Sequence, residues 1–125
     1  MKKIITTSKA PAPIGPYNQA VLTGNTLYTS GQIALDPATG ELVVGDIKTE
    51  AQLVMQNLKA VLEEADMTFE NVVKTTIFLS DMNNFGTVNE IYGSFFNEDT
   101  APARETVDVK TLPKSVNVEI SVVAV

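Results

Sequence analysis

One stretch restricts the fold of this chain more than any other. Ile47, Ala51, Val54, Met55, Leu58, Val61, Leu62 and Ala65 recur at steps of three and four residues. At 3.6 residues per turn these positions share one stripe of a helix running from about Ile47 to Ala65. Asp46 stands where an N-cap belongs, and Glu50 falls in the first turn, where the helix dipole favours a carboxylate. A stripe this regular is core packing and carries no chemistry, and it needs a flat apolar surface to lie on.

The rest of the sequence supplies that surface. Lys2–Thr6, Val72–Leu79, Arg104–Val109 and Val116–Val125 read as strands, the longer ones rich in β-branched residues. Ala20–Thr23 and Thr26–Thr29 flank Gly24-Asn25, the signature of a tight hairpin. A second hairpin is predicted from Gln32–Leu35 and Glu41–Val44 around the loop Asp36-Pro37-Ala38-Thr39-Gly40. Asn83 or Asn84 caps a second helix that reaches about Phe96, with Phe85, Val88, Tyr92, Phe95 and Phe96 as its stripe. Residues 8–18 carry Pro11, Pro13, Gly15 and Pro16 and form a loop or extended segment. Strands and helices mix without strict alternation, which predicts an α+β fold: one domain over residues 1–125, a mixed sheet, and two helices packed on one face. The other face then needs cover, a reason to expect a subunit interface.

Composition narrows the chemistry by what it lacks. The chain has no cysteine and no histidine, so thiolate nucleophiles, Cys-ligated zinc and the commonest general base are excluded. Acid–base work falls to Asp, Glu, Lys, Tyr or water. Lys and Arg number 9 against 15 Asp and Glu, a net charge of −6, which repels a phosphate backbone and argues against nucleic acid. No glycine-rich phosphate loop occurs, no metal-ligand cluster stands out, and no apolar run suits a signal peptide or membrane span. The sequence reads as a soluble, cytoplasmic protein without a membrane partner.

A few polar residues sit in unusual places. Asn89 falls between Val88 and Tyr92 on the apolar stripe of the second helix, where an unmet buried amide costs about 1–3 kcal/mol. Glu119 is mid-strand, opposite in phase to Val116, Val118, Ile120 and Val122. It is either a solvated charge or a sheltered carboxylate with its pKa raised for proton transfer. Arg104, after Pro102-Ala103, begins the neighbouring strand and offers a planar fork to a carboxylate, or simply pairs with a surface acid. Tyr17 ends the proline-bearing loop, and Gly31 in Ser30-Gly31-Gln32 permits close backbone approach. Each has a structural reading beside the functional one.

Taken together, Ile14-Gly15-Pro16-Tyr17, Ser30-Gly31-Gln32-Ile33, Val73-Lys74-Thr75-Thr76, Asn89, Pro102-Ala103-Arg104, Leu112-Pro113-Lys114 and Val118-Glu119-Ile120 resemble the reactive-intermediate deaminases, the RidA or YjgF family, along essentially the whole chain. The resemblance implies a chorismate-mutase-like α+β fold, a homotrimer with a central barrel-like core, and clefts between subunits. It implies hydrolysis of 2-aminoacrylate and related 2-imino acids, products of pyridoxal-phosphate dehydratases, to 2-keto acids and ammonia, without cofactor or metal. By the same resemblance Arg104 holds the substrate carboxylate and Glu119 activates water. Main-chain groups of Gly31 and Thr106 position substrate and water, and Tyr17, Ser30 and Asn89 line the cleft. Many relatives carry cysteine where this chain has Thr106, which bears on substrate preference. Glu105 adds an acid beside Arg104, and strand alternation predicts that it points away. The alternative is a non-catalytic trimer that uses the same cleft to sense a 2-keto acid.

Overall fold

The computed structural model describes all 125 residues, Met1–Val125. Six strands, β1 (Lys2–Ile5), β2 (Ala20–Thr23), β3 (Thr26–Thr29), β4 (Val72–Leu79), β5 (Ala103–Asp108) and β6 (Val118–Ala124), form one sheet in the order β1-β2-β3-β6-β4-β5. Every pairing is antiparallel except β4 with β5, which is parallel. Helices α1 (Ile47–Glu64) and α2 (Phe85–Gly93) cover one face of this mixed sheet, as the sequence predicts. Neither is long and apolar enough to cross a membrane.

The stripe of α1 is the centre of the core. Val54, Met55, Leu58, Val61 and Leu62 are fully buried against Ile77 and Leu79 of β4 and Val118, Ile120 and Val122 of β6. Asp46 caps the helix, its carboxylate accepting from the Lys48 N–H at 3.3 Å and the Thr49 hydroxyl at 2.7 Å. In the β2–β3 hairpin only Gly24 takes a positive φ, 58°, and the strands pair from Thr23↔Thr26 outward.

Four expectations are corrected. The second hairpin does not develop strands: Leu35 and Leu42 form an isolated bridge, and Gln32 instead bridges to Ile120. Two backbone bonds of that hairpin remain, Val43 N–H to the Ala34 carbonyl at 2.8 Å and Asp36 N–H to the Glu41 carbonyl at 2.9 Å. Helix α1 holds the segment from the side, the Asn57 amide donating to the Ile33 and Leu35 carbonyls at 3.2 and 3.0 Å. The second helix is shorter than its apolar pattern. It ends at Gly93, and Phe95 and Phe96 lie beyond it, stacked edge-on against Phe69. Its start is capped by neither Asn83 nor Asn84. The Asp81 carboxylate caps a preceding 3₁₀ turn, Met82–Asn84, and Asn84 makes no side-chain cap bond. Finally, β5 and β6 are not neighbours, because β4 lies between them.

One buried charge ties the layers together. Glu50, 0% exposed in the first turn of α1, accepts from the Asn117 N–H and Nδ2 at 2.8 Å each and from the Val118 N–H at 3.2 Å. A carboxylate taking several N–H bonds in a buried site is costly to remove, since the donors are left unmet. Glu50→Ala should lower unfolding free energy by about 2–4 kcal/mol, read as a reduced urea midpoint at unchanged m-value. Glu50→Gln, which keeps one acceptor, should fall between the two.

Candidate functional site

Alternation along the central strands distributes the polar residues. Arg104 is in register with Thr75 and Thr106 with Ile77, and Thr75 and Ile77 are buried on the helix-covered face. Glu119 is in register with Phe78 on the opposite face, which the helices leave open. Glu105, in register with Thr76, shares that open face and is paired with Lys74 at 2.9 Å. It does point away from Arg104, as alternation predicts.

The open-face site is built around Glu119. A cavity of about 430 Å³ is lined by Glu119, Tyr17, Ser30 and Gly31, with apolar walls from Ile14, Ile33, Leu35 and Pro113. Gln32 hydrogen-bonds through its backbone to Ile120, which draws the Ser30–Gln32 segment against β6. A Cβ on Gly31 would lie 2.7 Å from the Glu119 carboxyl carbon, so only glycine lets the carboxylate sit there. Glu119 is partly buried and finds neither hydrogen bond nor ion pair in its own chain. Loss of hydration pushes its carboxyl pKa above the usual carboxylate value. The Ser30 hydroxyl donates to the Asn18 carbonyl at 2.5 Å, and its lone pairs remain free. Tyr17 is about half exposed at 49% on the loop wall.

Gln19, which sequence reasoning passed over, holds that loop. Gln19, 2% exposed, donates to the carbonyls of Thr7, Ala10 and Pro11 and accepts from the Thr7 N–H at 2.7 Å, pinning residues 7–11 beside the cavity. Its signal was one amide next to a segment whose prolines leave carbonyls without ladder partners. Lys114, in the Leu112-Pro113-Lys114 motif, lines the cavity from a turn in which Lys114 and Ser115 both take left-handed φ, 55° and 56°.

The helix-face site is built around Arg104, the chain's one arginine. Its Nη1 donates to Asn89 Oδ1 at 2.6 Å, and its guanidinium carbon lies 5.2 Å from the Tyr92 ring centre and 5.5 Å from that of Phe85. Asn89 is exposed, not buried in the stripe as its phase suggested, and Ile91 takes the buried place. Asn89, Tyr92, Phe96, Pro102 and Arg104 line a second cavity, of about 500 Å³. Thr106 lies on this face but lines neither cavity, and its hydroxyl oxygen is buried without a partner. The predicted residues therefore fall into two groups, Tyr17, Ser30, Gly31 and Glu119 on one face, Asn89, Arg104 and Thr106 on the other. No single copy brings Arg104 and Glu119 to one ligand.

Comparison with known proteins adds to this geometry. The family model described as endoribonuclease L-PSP matches residues 7–125. A RutC family protein of Synechocystis is 57% identical over 124 residues, covering 98% of this chain and 95% of the relative. The 2-iminobutanoate/2-iminopropanoate deaminase of Mus musculus is 50% identical over 125 residues, covering 100% of this chain and 92% of the relative. A Yersinia pestis protein of the Rid family has a crystal structure that superposes with a TM-score of 0.96 at 47% identity, over 99% of this chain and 98% of that one.

The Gly31–Glu119 contact can be probed without reference to any reaction. Gly31→Ala should expel the carboxylate from its niche and lower the Glu119 pKa toward the usual carboxylate value, followed by carbon-13 NMR of the side-chain carboxyl. Circular dichroism should stay native. An unmoved pKa would mean that the close approach does not hold Glu119 in place.

Proposed function

Since this chain belongs to the YjgF/RidA family, whose model is described as endoribonuclease L-PSP, we propose that it hydrolyses small 2-imino acids, including those formed from 2-aminoacrylate, to 2-keto acids and ammonia. The observation that carries this reading is the Glu119 niche: a partly buried, unpaired carboxylate facing an apolar-walled cavity large enough for a three- or four-carbon acid. The named activity of relatives about half identical over the full chain supports it.

The chemistry asks little of the protein. The imine carbon is already electrophilic, so neither a metal nor a strong nucleophile is needed. Glu119 takes a proton from water as the oxygen bonds to C2. Glu119, now protonated, gives that proton to the nitrogen of the carbinolamine, and the C–N bond breaks with its electron pair going to nitrogen. Ammonia leaves as the hydroxyl returns its proton to Glu119 and the carbonyl forms. Arg104 holds the carboxylate through its fork. Main-chain groups at Gly31 and Thr106 orient substrate and water, and Tyr17 and Ser30 close the wall.

Because Arg104 and Glu119 occupy opposite faces of one sheet, the reading requires two copies per site. We take the assembly to be a homotrimer whose open sheet faces meet in a barrel-like core, with Arg104 of one copy reaching the Glu119 cavity of the next. Each subunit is then one domain of 125 residues, acting in the cytoplasm without cofactor. The description endoribonuclease finds less support in the chain, given its −6 charge and absence of histidine.

The test couples a serine or threonine dehydratase to the protein and follows imine decay. Glu119→Gln should lower kcat by about 10²–10⁴ and still bind a 2-keto acid, whereas Arg104→Ala should act mainly on KM. Binding without turnover in the unaltered protein would favour the sensor. Mixed trimers of Arg104→Ala and Glu119→Gln chains should recover about a quarter of the sites. Failure to recover any would remove the two-copy site.

The pH profile has a defined sign. Glu119 works ionised, so kcat/KM should fall on acidification at a pKa above the ordinary carboxylate value. Its folded state holds the proton more tightly than the unfolded chain does. Glu119 therefore costs stability as pH rises through the interval between the ordinary and raised pKa, and Glu119→Gln should unfold at higher temperature at neutral pH.

A further inference from the structure

Arginine is a poor anion receptor when its side chain is loose, because ordering its rotamers opposes binding. Arg104 is exposed, yet three side chains of α2 hold it. Asn89 takes one N–H, and the rings of Phe85 and Tyr92 lie 5.5 and 5.2 Å from the guanidinium carbon, within cation–π range. Tyr92 is itself fixed. Its hydroxyl donates to Thr75 Oγ1 at 2.9 Å in the core, and its ring packs 4.7 Å from that of Phe96, which stacks on Phe69. Thr75 is also the register neighbour of Arg104 across β4–β5. The same threonine thus positions the strand that carries the arginine and the ring that flanks it.

We propose that Phe85 and Tyr92 are positioning residues for Arg104: an aromatic clamp, anchored to β4 through Thr75, that presets the guanidinium to receive a carboxylate presented from outside the chain. With Nη1 committed to Asn89, the remaining N–H donors are left for that carboxylate. The clamp rests on the proposed deaminase reading for the identity of the anion, but its existence does not depend on that reading. Neither ring touches substrate or moves a proton, so their contribution is confined to binding the carboxylate.

Phe85→Leu keeps an apolar side chain and removes the ring, and should raise KM for the imine about three- to fivefold with kcat within about twofold. Phe85→Tyr, which restores a ring, should return KM to the starting value. A KM that does not move in Phe85→Leu, or that Phe85→Tyr does not rescue, overturns the clamp. A second measurement needs no ligand. Because Arg104 is the only arginine, its guanidinium nitrogens give one unambiguous set of nitrogen-15 NMR signals. These should show hindered rotation in the unaltered protein and averaging in Phe85→Leu and Tyr92→Leu. Averaged signals in the unaltered protein would overturn the clamp even if imine turnover is present. Hindered signals that are lost in the variants would uphold it even if the protein turns over no imine.

Discussion

Strand β4 hydrogen-bonds to β6 on one side and to β5 on the other, and the two-residue alternation along all three assigns Arg104, Glu105 and Glu119 to their faces of the sheet. From Thr75 to Leu79 the odd-numbered positions of β4 face the helices and the even-numbered ones face the open side, while the irregularity between Val72 and Lys74 reverses the phase so that Val72 is buried and Val73 exposed. The pairing transmits that phase to Arg104 on β5 and to Glu119 on β6. A slip of one residue in either pairing would turn the corresponding group over. Two devices guard the register next to these residues. Glu50 binds the backbone at the head of β6, two positions before Glu119. Tyr92 binds Thr75, the partner of Arg104.

What the sequence disclosed followed from local periodicity. The stripe of α1, the Gly24-Asn25 hairpin and the phase of β6 each depend on neighbours within a few residues, and each is found where its pattern placed it. The misses arose where a distant group outbid the local one. Gln32, the first residue of the expected second hairpin, pairs with Ile120 of β6, and Asn57 of α1 ties down the neighbouring Ile33 and Leu35 carbonyls. Strand order was invisible for the same reason, since nothing near Arg104 or Glu119 in sequence states that β4 will separate them. Of the site, the residue types were legible and their partition between two faces was not.

The two halves of the site solve opposite electrostatic problems. Arg104 carries a permanent charge in an exposed place, and the chain orders it with an amide and two ring faces. Glu119 carries a variable charge in a sheltered place, and the chain leaves it without any partner. A carboxylate whose oxygens are occupied by lysine or by N–H groups has little left with which to take a proton from water. Glu50, with three N–H donors, is that kind of carboxylate and serves structure. The same residue type is thus turned to two ends, by the N–H donors that Glu50 finds and by the hydration that Glu119 loses without finding any.

Such a division bears on how one fold comes to carry several names. Fold similarity does not decide among deaminase, RutC protein and endoribonuclease, because function resides in the site. Here the relevant site features are few. RNA cleavage at neutral pH calls for basic surface and a proton-transfer pair near the phosphate, whereas this chain offers an acidic surface and one isolated, hydration-starved carboxylate. Imine hydrolysis calls for one carboxylate-binding cation, one weak-acid base and a pocket that limits water. Arg104 and Glu119 are groups of these two kinds, held apart on the two faces of the sheet, which is why the proposed reaction carries with it the proposed two-copy site.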